Sequence, residues 1–220
     1  MNMENKVSFK RMTLAEQVYF DLKNLIITHQ IQPGSRLNEI ELAGHYQVSP
    51  TPVREALSKL RGDGLVQYRG WQGAYVIELQ LKDISYLYDI RCELECLALK
   101  EAAETITVDD LEQLKKFLLK YKDRNDFEGR DEANEKFHGF FMEKSGNRWL
   151  KRMLDDLKDI LLMARYPLMK ARTGEDSHNQ HLKVIECLQN NNLTLALEMM
   201  AEHINSVRKE LITLLSNQQD

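Results

Sequence analysis

The sequence predicts a mainly α-helical protein in two parts, in which three helices and a β-hairpin precede a larger all-helical bundle. Three observations support this prediction. Apolar residues recur at helical spacing along most of the 220 residues. Gly and Pro are scarce, with 10 and 4 residues, so long uninterrupted elements are favoured. Strand-like runs lie within residues 65–77, between the two helical parts.

The N-terminal part carries the signals for three helices. Thr13, followed three residues later by Glu16, forms a capping box at the start of the first helix. Asn38 is a suitable N-cap for a second, short helix. Pro50 and Pro52 fit only in the first turn of a third helix, because their missing N–H groups are not needed there. The three helices are predicted at about residues 13–28, 39–46 and 49–61.

A β-hairpin is predicted after the third helix. Residues 65–68 and 74–77 contain alternating or clustered β-type side chains, and a turn-rich tip from Arg69 to Gly73 separates them. Three helices followed by such a hairpin are the outline of a winged helix-turn-helix. We therefore expect residues 1–78 to form a domain of this kind.

Helical patterns alone follow from Leu81 onward. The connections between them are short, which is typical of an antiparallel helical bundle. The linker from the first domain is also short, around residues 78–82, and we assign residues 79–220 to this second, all-α domain. Its helices are predicted at about residues 81–105, 108–124, 128–145, 148–169, 176–190 and 193–216.

The distribution of charge distinguishes the two domains. The formal net charge is −4, which by itself argues against a nucleic-acid-binding protein. Residues 1–78 contain 9 Lys/Arg and 8 Asp/Glu, whereas residues 79–220 contain 21 and 26. The acidity therefore lies in the second domain, and a small DNA-binding domain needs only a few well-placed cations. Because 43% of the residues are hydrophobic, wholesale disorder is not expected.

The cysteines indicate a reducing compartment. Cys92, Cys96 and Cys187 form neither a disulfide framework nor a zinc-finger pattern. Cys92 and Cys96 lie one helical turn apart and are interpreted as reduced packing residues, with a redox switch as the alternative. No apolar run reaches the ~18 residues of a membrane span, and the N-terminal residues lack a signal-peptide pattern. We expect a cytoplasmic protein that does not bind membranes.

The third helix has the pattern of a DNA-recognition helix. Its apolar residues repeat at i, i+3, i+4 and i+7, so they form one face that is expected to be buried. Ser49, Thr51 and Arg54 lie largely on other faces, where a recognition helix presents polar groups to bases and phosphates. The residues of the apolar face are Val53, Ala56, Leu57 and Leu60.

Several motifs follow one another in a fixed order along residues 13–78. They are Pro33-Gly34-x-x-Leu37-x-Glu39, Leu42-Ala43, Val48-Ser49, Thr51-Pro52-Val53-Arg54-Glu55-Ala56-Leu57, Gly64-Leu65-Val66 and Gly73-x-x-Val76. Together they resemble the DNA-binding domain of the GntR family of bacterial regulators. In that family the recognition helix enters the major groove and the hairpin tip reaches the minor groove.

The resemblance implies a set of DNA contacts in this chain. Ser49 is also a plausible helix N-cap, and Arg69 and Gly70 are also ordinary turn residues. Many relatives carry Arg at the position of Pro50. An Arg there can pair with guanine and a proline cannot, so the operator sequence of those relatives is not expected here. The implied contacts are Arg36, Ser49, Thr51, Arg54, Arg69 and Gly70.

Histidines in the second domain suggest a metal site. Asn134 and His138 lie at i and i+4 on one helix face, His181 begins another predicted helix, and His203 lies in the last one. Three imidazoles and an amide oxygen that converge in a bundle core would suit Zn, Ni or Mn. Ordinary packing of these histidines is the alternative.

A second group of motifs spans about residues 82–215. These are Arg91-x-x-x-Glu95, Asn134-x-x-Phe137-His138, Ser145-Gly146-Asn147, His181-x-x-x-Ile185 and Ala201-x-His203-Ile204. They resemble the FCD-type ligand-binding domain of the FadR branch of the GntR family. Relatives with the full pattern bind a metal through an Asp and three His. The resemblance therefore implies Asn134, His138, His181 and His203 as ligands, with weaker affinity because Asn134 brings no charge.

The same resemblance implies a small organic acid as effector, with Arg91 and Arg208 as pocket cations. A guanidinium suits a bidentate carboxylate, although Arg91 could instead form an i, i+4 salt bridge with Glu95. We therefore expect a homodimeric, DNA-binding transcriptional regulator of a near-palindromic operator, and no enzymatic activity. The alternatives are a regulator that responds to the metal itself, one that binds an apolar acyl chain, and a metalloenzyme.

Overall fold

A computed structural model describes residues 12–121, 127–171 and 175–217. The contacts divide the chain between Glu78 and Leu79 into two compact units. The first contains three helices and a small sheet, and the second contains helices, as the mainly α fold class predicts. Among the helices in these ranges, none is both long and apolar enough to cross a membrane.

The three helices of the N-terminal unit begin at the predicted signals. The capping box of Thr13 and Glu16 is present at the start of α1, and the side chain of Asn38 accepts a hydrogen bond from Ile40 N at the start of α2. Pro50 and Pro52 lie in the first turn of α3. The bounds are α1 Leu14–Ile27, α2 Glu39–Tyr46 and α3 Pro50–Gly62.

A three-stranded antiparallel sheet has the order β1-β3-β2, with β1 before α2 in the chain and the hairpin strands β2 and β3 after α3. The two hairpin strands were predicted, but β1 was not, because two residues are too short to show a strand pattern. Arg36 in β1 pairs with Tyr75 in β3. The hairpin tip is not an open turn, since it contains a single 3₁₀ turn at Gly70–Gln72. The strands are β1 Arg36–Leu37, β2 Val66–Tyr68 and β3 Ala74–Val76.

The core of this unit forms between α1, α3 and the sheet. Leu22, Leu57 and Leu65 are fully buried. The predicted apolar face of α3 is confirmed, because Val53, Ala56, Leu57 and Leu60 are all at most 1% exposed. That burial fixes which face of α3 remains available for contacts outside the unit.

The C-terminal unit contains the expected helices, with some ends displaced. The first stops at Ala102 rather than near residue 105, because the amides of Thr105 and Ile106 hydrogen-bond back to Ala102 O. The second ends at Leu119, earlier than predicted. The breaks predicted at 125–126 and 173–174 lie outside the described residues. The helices are α4 Leu81–Ala102, α5 Val108–Leu119, α6 Phe127–Lys144, α7 Arg148–Ala171, α8 Glu175–Gln189 and α9 Leu193–Ser216.

Helix α4 is central to this unit, because it packs against α6, α7 and α9. Tyr88 on α4 and Phe137 and Phe141 on α6 are the largest of its fully buried side chains. Helix α8 packs against α5 and α9. The packing brings the inner faces of α4, α6, α8 and α9 together, and the polar residues described below lie there.

Candidate nucleic-acid interface and metal centre

The N-terminal end of α3 carries exposed polar side chains. Ser49, Thr51 and Arg54 are all exposed. Ser49 occupies the N-cap position, yet its side chain makes no capping hydrogen bond. Its hydroxyl is therefore not committed to the helix end. These three residues form a short polar edge at the start of the predicted recognition helix.

Arg54 has a partner within the unit. Its Nε atom lies 2.5 Å from Oε2 of Glu39, which belongs to the first turn of α2. The Arg54 side chain is still 66% exposed. The ion pair joins α2 to α3 and holds the guanidinium on the outer side of the helix-turn-helix.

The sheet contributes the other predicted DNA contacts. Arg36 is exposed on β1 and has Tyr75 as its strand partner. The guanidinium of Arg69 lies 4.5 Å from the centre of the Tyr75 ring. Gly70 has a φ of 50°, a conformation that suits a residue without Cβ. Trp71 beside it is fully exposed. Arg36 and Arg69 are thus neighbours of the same tyrosine.

Three of the predicted metal ligands meet inside the helical unit. Each of His138, His181 and His203 can offer a ring nitrogen, and these atoms lie within 4.8 Å of one another. All three side chains are buried, with exposures of 6%, 3% and 1%. They come from α6, α8 and α9, so the cluster depends on the packing of the bundle and not on one local motif.

Neighbouring groups orient two of these imidazoles. Nδ1 of His203 lies 2.8 Å from Oε1 of Gln180, so the Nδ1–H donates to the amide oxygen. Nδ1 of His138 donates in the same way to the carboxylate of Glu95. In both rings Nε2 is then left with its lone pair. Such outer hydrogen bonds commonly orient metal-binding histidines.

The remaining contacts of the cluster are close. Nε2 of His203 lies 3.1 Å from Nε2 of His181, so one proton is shared between two nitrogens unless a cation replaces it. The ring of Phe137 stacks on His181 with centroids 3.9 Å apart. The guanidinium of Arg91 lies 3.1 Å from Nε2 of His138. The cluster is therefore enclosed by an aromatic ring on one side and a cation on another.

Burial keeps two of these histidines, His138 and His181, neutral. It lowers the pKa of His138, and burial together with His203 and His138 holds the pKa of His181 well below its usual value. Burial opposes the ionisation of Glu95, but the charge of Arg91 and the hydrogen bond from His138 outweigh it, so the pKa of Glu95 is lowered. Neutral imidazoles beside an ionised carboxylate are the protonation states that a divalent cation requires.

A cavity of about 250 Å³ lies beside the cluster, between α4, α6 and α7. Arg91, Glu95, Asn134 and His138 line it. Arg91 also forms the anticipated i, i+4 salt bridge, with its Nε 2.6 Å from Oε1 of Glu95. The salt bridge and the exposure of Arg91 to the cavity therefore coexist.

Sequence reasoning missed Arg165, which also lines the cavity. It lies on α7, is 9% exposed and pairs with Asp131 on α6. The phenol oxygen of Tyr88 is buried nearby, with no hydrogen-bond partner among the described residues. The cavity thus has two buried guanidiniums, Arg91 and Arg165, where the sequence indicated Arg91 and Arg208.

The other predicted residues lie in different places. Asn134 faces the cavity one turn before His138. Arg208 is not among the residues that line this cavity, and it pairs with Asp89 between α9 and α4. His178 lies outside the predicted ligand set, yet it is buried as well, with an exposure of 8%. It lies one turn before His181 on α8, and that i, i+3 spacing is a signal that could have identified it.

Comparisons with known proteins agree with this architecture. A family model described as "Bacterial regulatory proteins, gntR family" matches residues 14–76. A second model, "FCD domain", matches residues 86–206. The first match covers the helix-turn-helix and the sheet, and the second covers most of the helical unit, including His138, His181 and His203.

Individual relatives align over nearly the whole chain. The uncharacterized HTH-type transcriptional regulator YdhC of Bacillus subtilis (strain 168) is 29% identical over 195 residues, which covers 86% of this chain and 87% of that protein. The HTH-type transcriptional repressor RspR of Escherichia coli (strain K12) is 27% identical over 206 residues, covering 89% and 90%. The solved structure of E. coli McbR/YncC shares the fold, with a TM-score of 0.70, 24% identity and coverage of 96% and 100%.

Proposed function

The chain belongs to the gntR family of bacterial regulatory proteins and carries an FCD domain, so it is a DNA-binding transcriptional regulator, and we propose that a small organic acid, held beside a metal ion in the helical unit, sets its affinity for DNA. The convergence of three buried histidines, two of them oriented by hydrogen bonds, next to a cavity lined by four cationic and four acidic side chains carries this proposal.

We propose that DNA contacts two parts of the N-terminal unit. The exposed edge of α3, with Ser49, Thr51 and Arg54, enters the major groove, and Arg69 and Gly70 at the hairpin tip reach the minor groove. Arg36 contributes a phosphate contact from β1. Two chains form a homodimer and read a near-palindromic operator, because a two-fold protein matches a two-fold site.

The proposed metal ligands are His138, His181 and His203, with Asn134 as a fourth donor through its amide oxygen. Three neutral imidazoles suit Zn, Ni or Mn. When bound, the ion would supply a fixed positive charge that receives a carboxylate. Glu95 and Gln180 would hold two of the rings in the required tautomer. Replacement of Asn134 by Asp adds a negative charge and should tighten binding.

The proposed effector is a small carboxylic acid in the cavity. A volume of about 250 Å³ is too small for a long acyl chain, and the charged lining does not suit one. Arg91 and Arg165 can donate forked hydrogen bonds to a carboxylate. The coupling free energy between acid binding and DNA binding amounts to about 1–3 kcal/mol, as in other proteins with two linked binding sites.

The first experiment tests DNA recognition. Purified protein is incubated with fragmented genomic DNA from its source at moderate salt, and the retained fragments are sequenced. Enrichment of a few sites that share an inverted repeat would support the proposal, and their neighbouring genes would suggest acids for release assays. No enrichment over bulk DNA, with or without Zn and a panel of small acids, would contradict it.

The second experiment tests the metal centre. Protein stripped with a chelator is dialysed against Zn, Ni or Mn, and the bound ion is quantified by mass spectrometry. We expect about one ion per chain for the wild type and for the control His45→Gln, because His45 is exposed in the other unit. His181→Gln should lose most of this binding, and Asn134→Asp should strengthen it. Equal uptake by all four proteins would argue against the centre.

The third experiment tests the acid site. Small mono- and dicarboxylic acids are screened for a change in operator affinity, and the active acid is then titrated by calorimetry. Arg165→Lys keeps the charge but loses the planar fork, so acid binding should weaken. The matched control is Arg152→Lys, an exposed arginine of the same helix that does not line the cavity. Identical acid affinity in both variants would remove Arg165 from the site.

A regulator that responds to the metal itself is the second candidate. It is favoured by one observation, namely that His181 and His203 are not among the residues lining the cavity, so the ion site and the cavity are only partly shared. Operator affinity measured over a range of Zn or Ni with no acid present separates the two. A full response to metal alone would favour this candidate.

A further inference from the structure

Two thiols lie together on a flank of α4, away from the histidine cluster. Cys92 and Cys96 are both partly buried and are separated by one helical turn. Sγ of Cys96 lies 4.0 Å from the backbone oxygen of Leu197 on α9. One turn before Cys92, Asp89 pairs with Arg208, which also belongs to α9. The two thiols therefore lie along the seam between α4 and α9.

The two thiols interact with each other. The neighbouring Cys96 lowers the pKa of Cys92, and Cys92 together with burial raises the pKa of Cys96. The positive charge of Arg208 also favours a thiolate at Cys92. A lowered pKa increases the thiolate fraction of Cys92, and the thiolate is the nucleophilic form of cysteine.

The geometry disfavours a disulfide between these residues. In an α-helix, Cβ atoms four residues apart are separated by about 5–6 Å, whereas a disulfide requires roughly 3.5–4.5 Å. Cys92 and Cys96 lie well inside the continuous helix Leu81–Ala102, so closing the bond would distort the helix. An atom that bridges the two sulfurs requires no such distortion, because it fills the gap between them.

We propose that Cys92 and Cys96 form a two-thiolate site for a soft, thiol-seeking species such as a trivalent arsenical. Soft ligands of this kind select soft ions. With phenylarsine oxide, two S–As bonds form, the two thiol protons leave with the oxygen of the reagent as one water molecule, and nothing is oxidised or reduced. Once one sulfur is attached, the second bond is intramolecular and gains from a high effective concentration.

The site is distinct from the proposed metal centre. The three clustered histidines are buried nitrogen donors that suit borderline ions, whereas the cysteines are half-buried sulfur donors on another face of α4. Arg91 and Glu95 lie on the same turns of α4 but point to the cavity. Loss of metal binding by the histidines would therefore leave the thiol site unaffected.

The test uses the reduced full-length protein and phenylarsine oxide in the presence of excess monothiol. After gel filtration removes the monothiol, the free protein thiols are counted with a chromogenic disulfide, and the adduct is identified by mass. We expect one equivalent to remove two of the three thiols. Cys187→Ser is the matched control and should still bind one equivalent. Cys92→Ser and Cys96→Ser should each bind about 100-fold more weakly, because only one sulfur remains.

Two results would overturn the proposal. One is loss of the adduct in Cys187→Ser, and the other is wild-type affinity in either Cys92→Ser or Cys96→Ser. If the variants fail to fold, a measurement on the wild-type chain still tests the proposal. The arsenical-treated native protein is alkylated with iodoacetamide and its peptides are mapped. Protection of Cys92 and Cys96 together supports the site, whereas alkylation of both contradicts it.

Discussion

At the scale of single residues, Gln180 determines which nitrogen of His203 is available. Its amide oxygen accepts the Nδ1–H at 2.8 Å, so Nε2 keeps its lone pair and points to the cluster. In Gln180→Ala this orientation is lost, and we expect metal affinity to fall by about 10–100-fold. Calorimetric titration with Zn measures the change. Gln189→Ala on the same helix is the control, and equal affinity of both variants would contradict the prediction.

Arg54 is the residue of α3 on which we expect DNA affinity to depend most. Its guanidinium is largely exposed and projects from the first turns of the helix. Arg54→Ala should weaken operator binding by about tenfold or more at fixed salt. Fluorescence anisotropy with labelled operator provides the measurement. Lys100→Ala, an exposed cation of the other unit, should bind as the wild type does. Equal weakening in both would show only a general charge effect.

Burial of neutral histidines makes stability depend on pH. The pKa values of His138 and His181 are lowered in the folded state, whereas unfolded histidines take up protons near pH 6.5. The unfolded state therefore binds more protons, and the free energy of unfolding should decrease as pH falls from 7 to 5. Glu95, with its lowered pKa, contributes only at more acidic pH.

Denaturant titrations of chelator-treated protein at several pH values measure this slope. His181→Gln should show a shallower dependence between pH 7 and 5, because it removes one of the two buried histidines whose pKa is lowered. His45→Gln, exposed in the other unit, should retain the wild-type slope. A slope that is unchanged in His181→Gln would mean that other groups cause the acid sensitivity.

The sequence revealed the histidines of the candidate site but not all of its cations. His138, His181 and His203 stand out because histidine is rare in this chain and each lies in a recognisable motif. Arg165 gives no such signal, because its burial depends on Asp131, 34 residues away in the sequence. A pair of residues that meets only through tertiary packing leaves no periodic pattern in the local sequence. The same reason hides the contact between Gln180 and His203.

At the scale of elements, α3 supports the DNA surface through its buried face. Leu57 is fully buried between α1 and α3. Leu57→Ala should reduce the stability of the N-terminal unit by about 2–5 kcal/mol, since it removes apolar contacts and leaves a cavity. Thermal or urea unfolding measures the loss. Ser58→Ala, the exposed neighbour on the same helix, is the control and should change stability by less than about 0.5 kcal/mol.

Long elements could be predicted more completely than short ones. The helices follow from apolar spacing and from caps such as Thr13 and Asn38, whose side chains make the expected hydrogen bonds. Strand β1 consists of two residues, Arg36 and Leu37, that pair with Tyr75 and Ala74 of β3, 39 and 37 positions later, so its existence depends on tertiary pairing. The 3₁₀ turn at Gly70–Gln72 likewise forms only within the folded hairpin. A two-residue strand and a single 3₁₀ turn are too short to show a period in the sequence.

At the scale of the whole molecule, the division after Glu78 suggests separable tasks. We expect a fragment of residues 79–220 to retain metal binding, and a fragment of residues 1–78 to bind operator about 100-fold more weakly than the full chain. The loss arises because two linked DNA-binding units gain from a high effective concentration. Anisotropy and metal analysis on both fragments measure this. Full operator affinity in the shorter fragment would show that dimerisation by the helical unit is unnecessary.

In the free protein, the carboxylate of Glu39 occupies the guanidinium of Arg54, where a DNA phosphate would otherwise bind. A regulator searches for its operator among a vast excess of other phosphates, and each of them attracts exposed cations. While Glu39 occupies the guanidinium, a passing stretch of DNA must displace a carboxylate before Arg54 can engage. A DNA site with well-placed acceptors for Arg54 compensates for the loss of the ion pair with Glu39, and a random sequence does not. If Arg54 contacts the operator as proposed, its pairing with Glu39 lowers the affinity for non-specific DNA more than the affinity for the operator, and this acidic residue then favours discrimination between sequences.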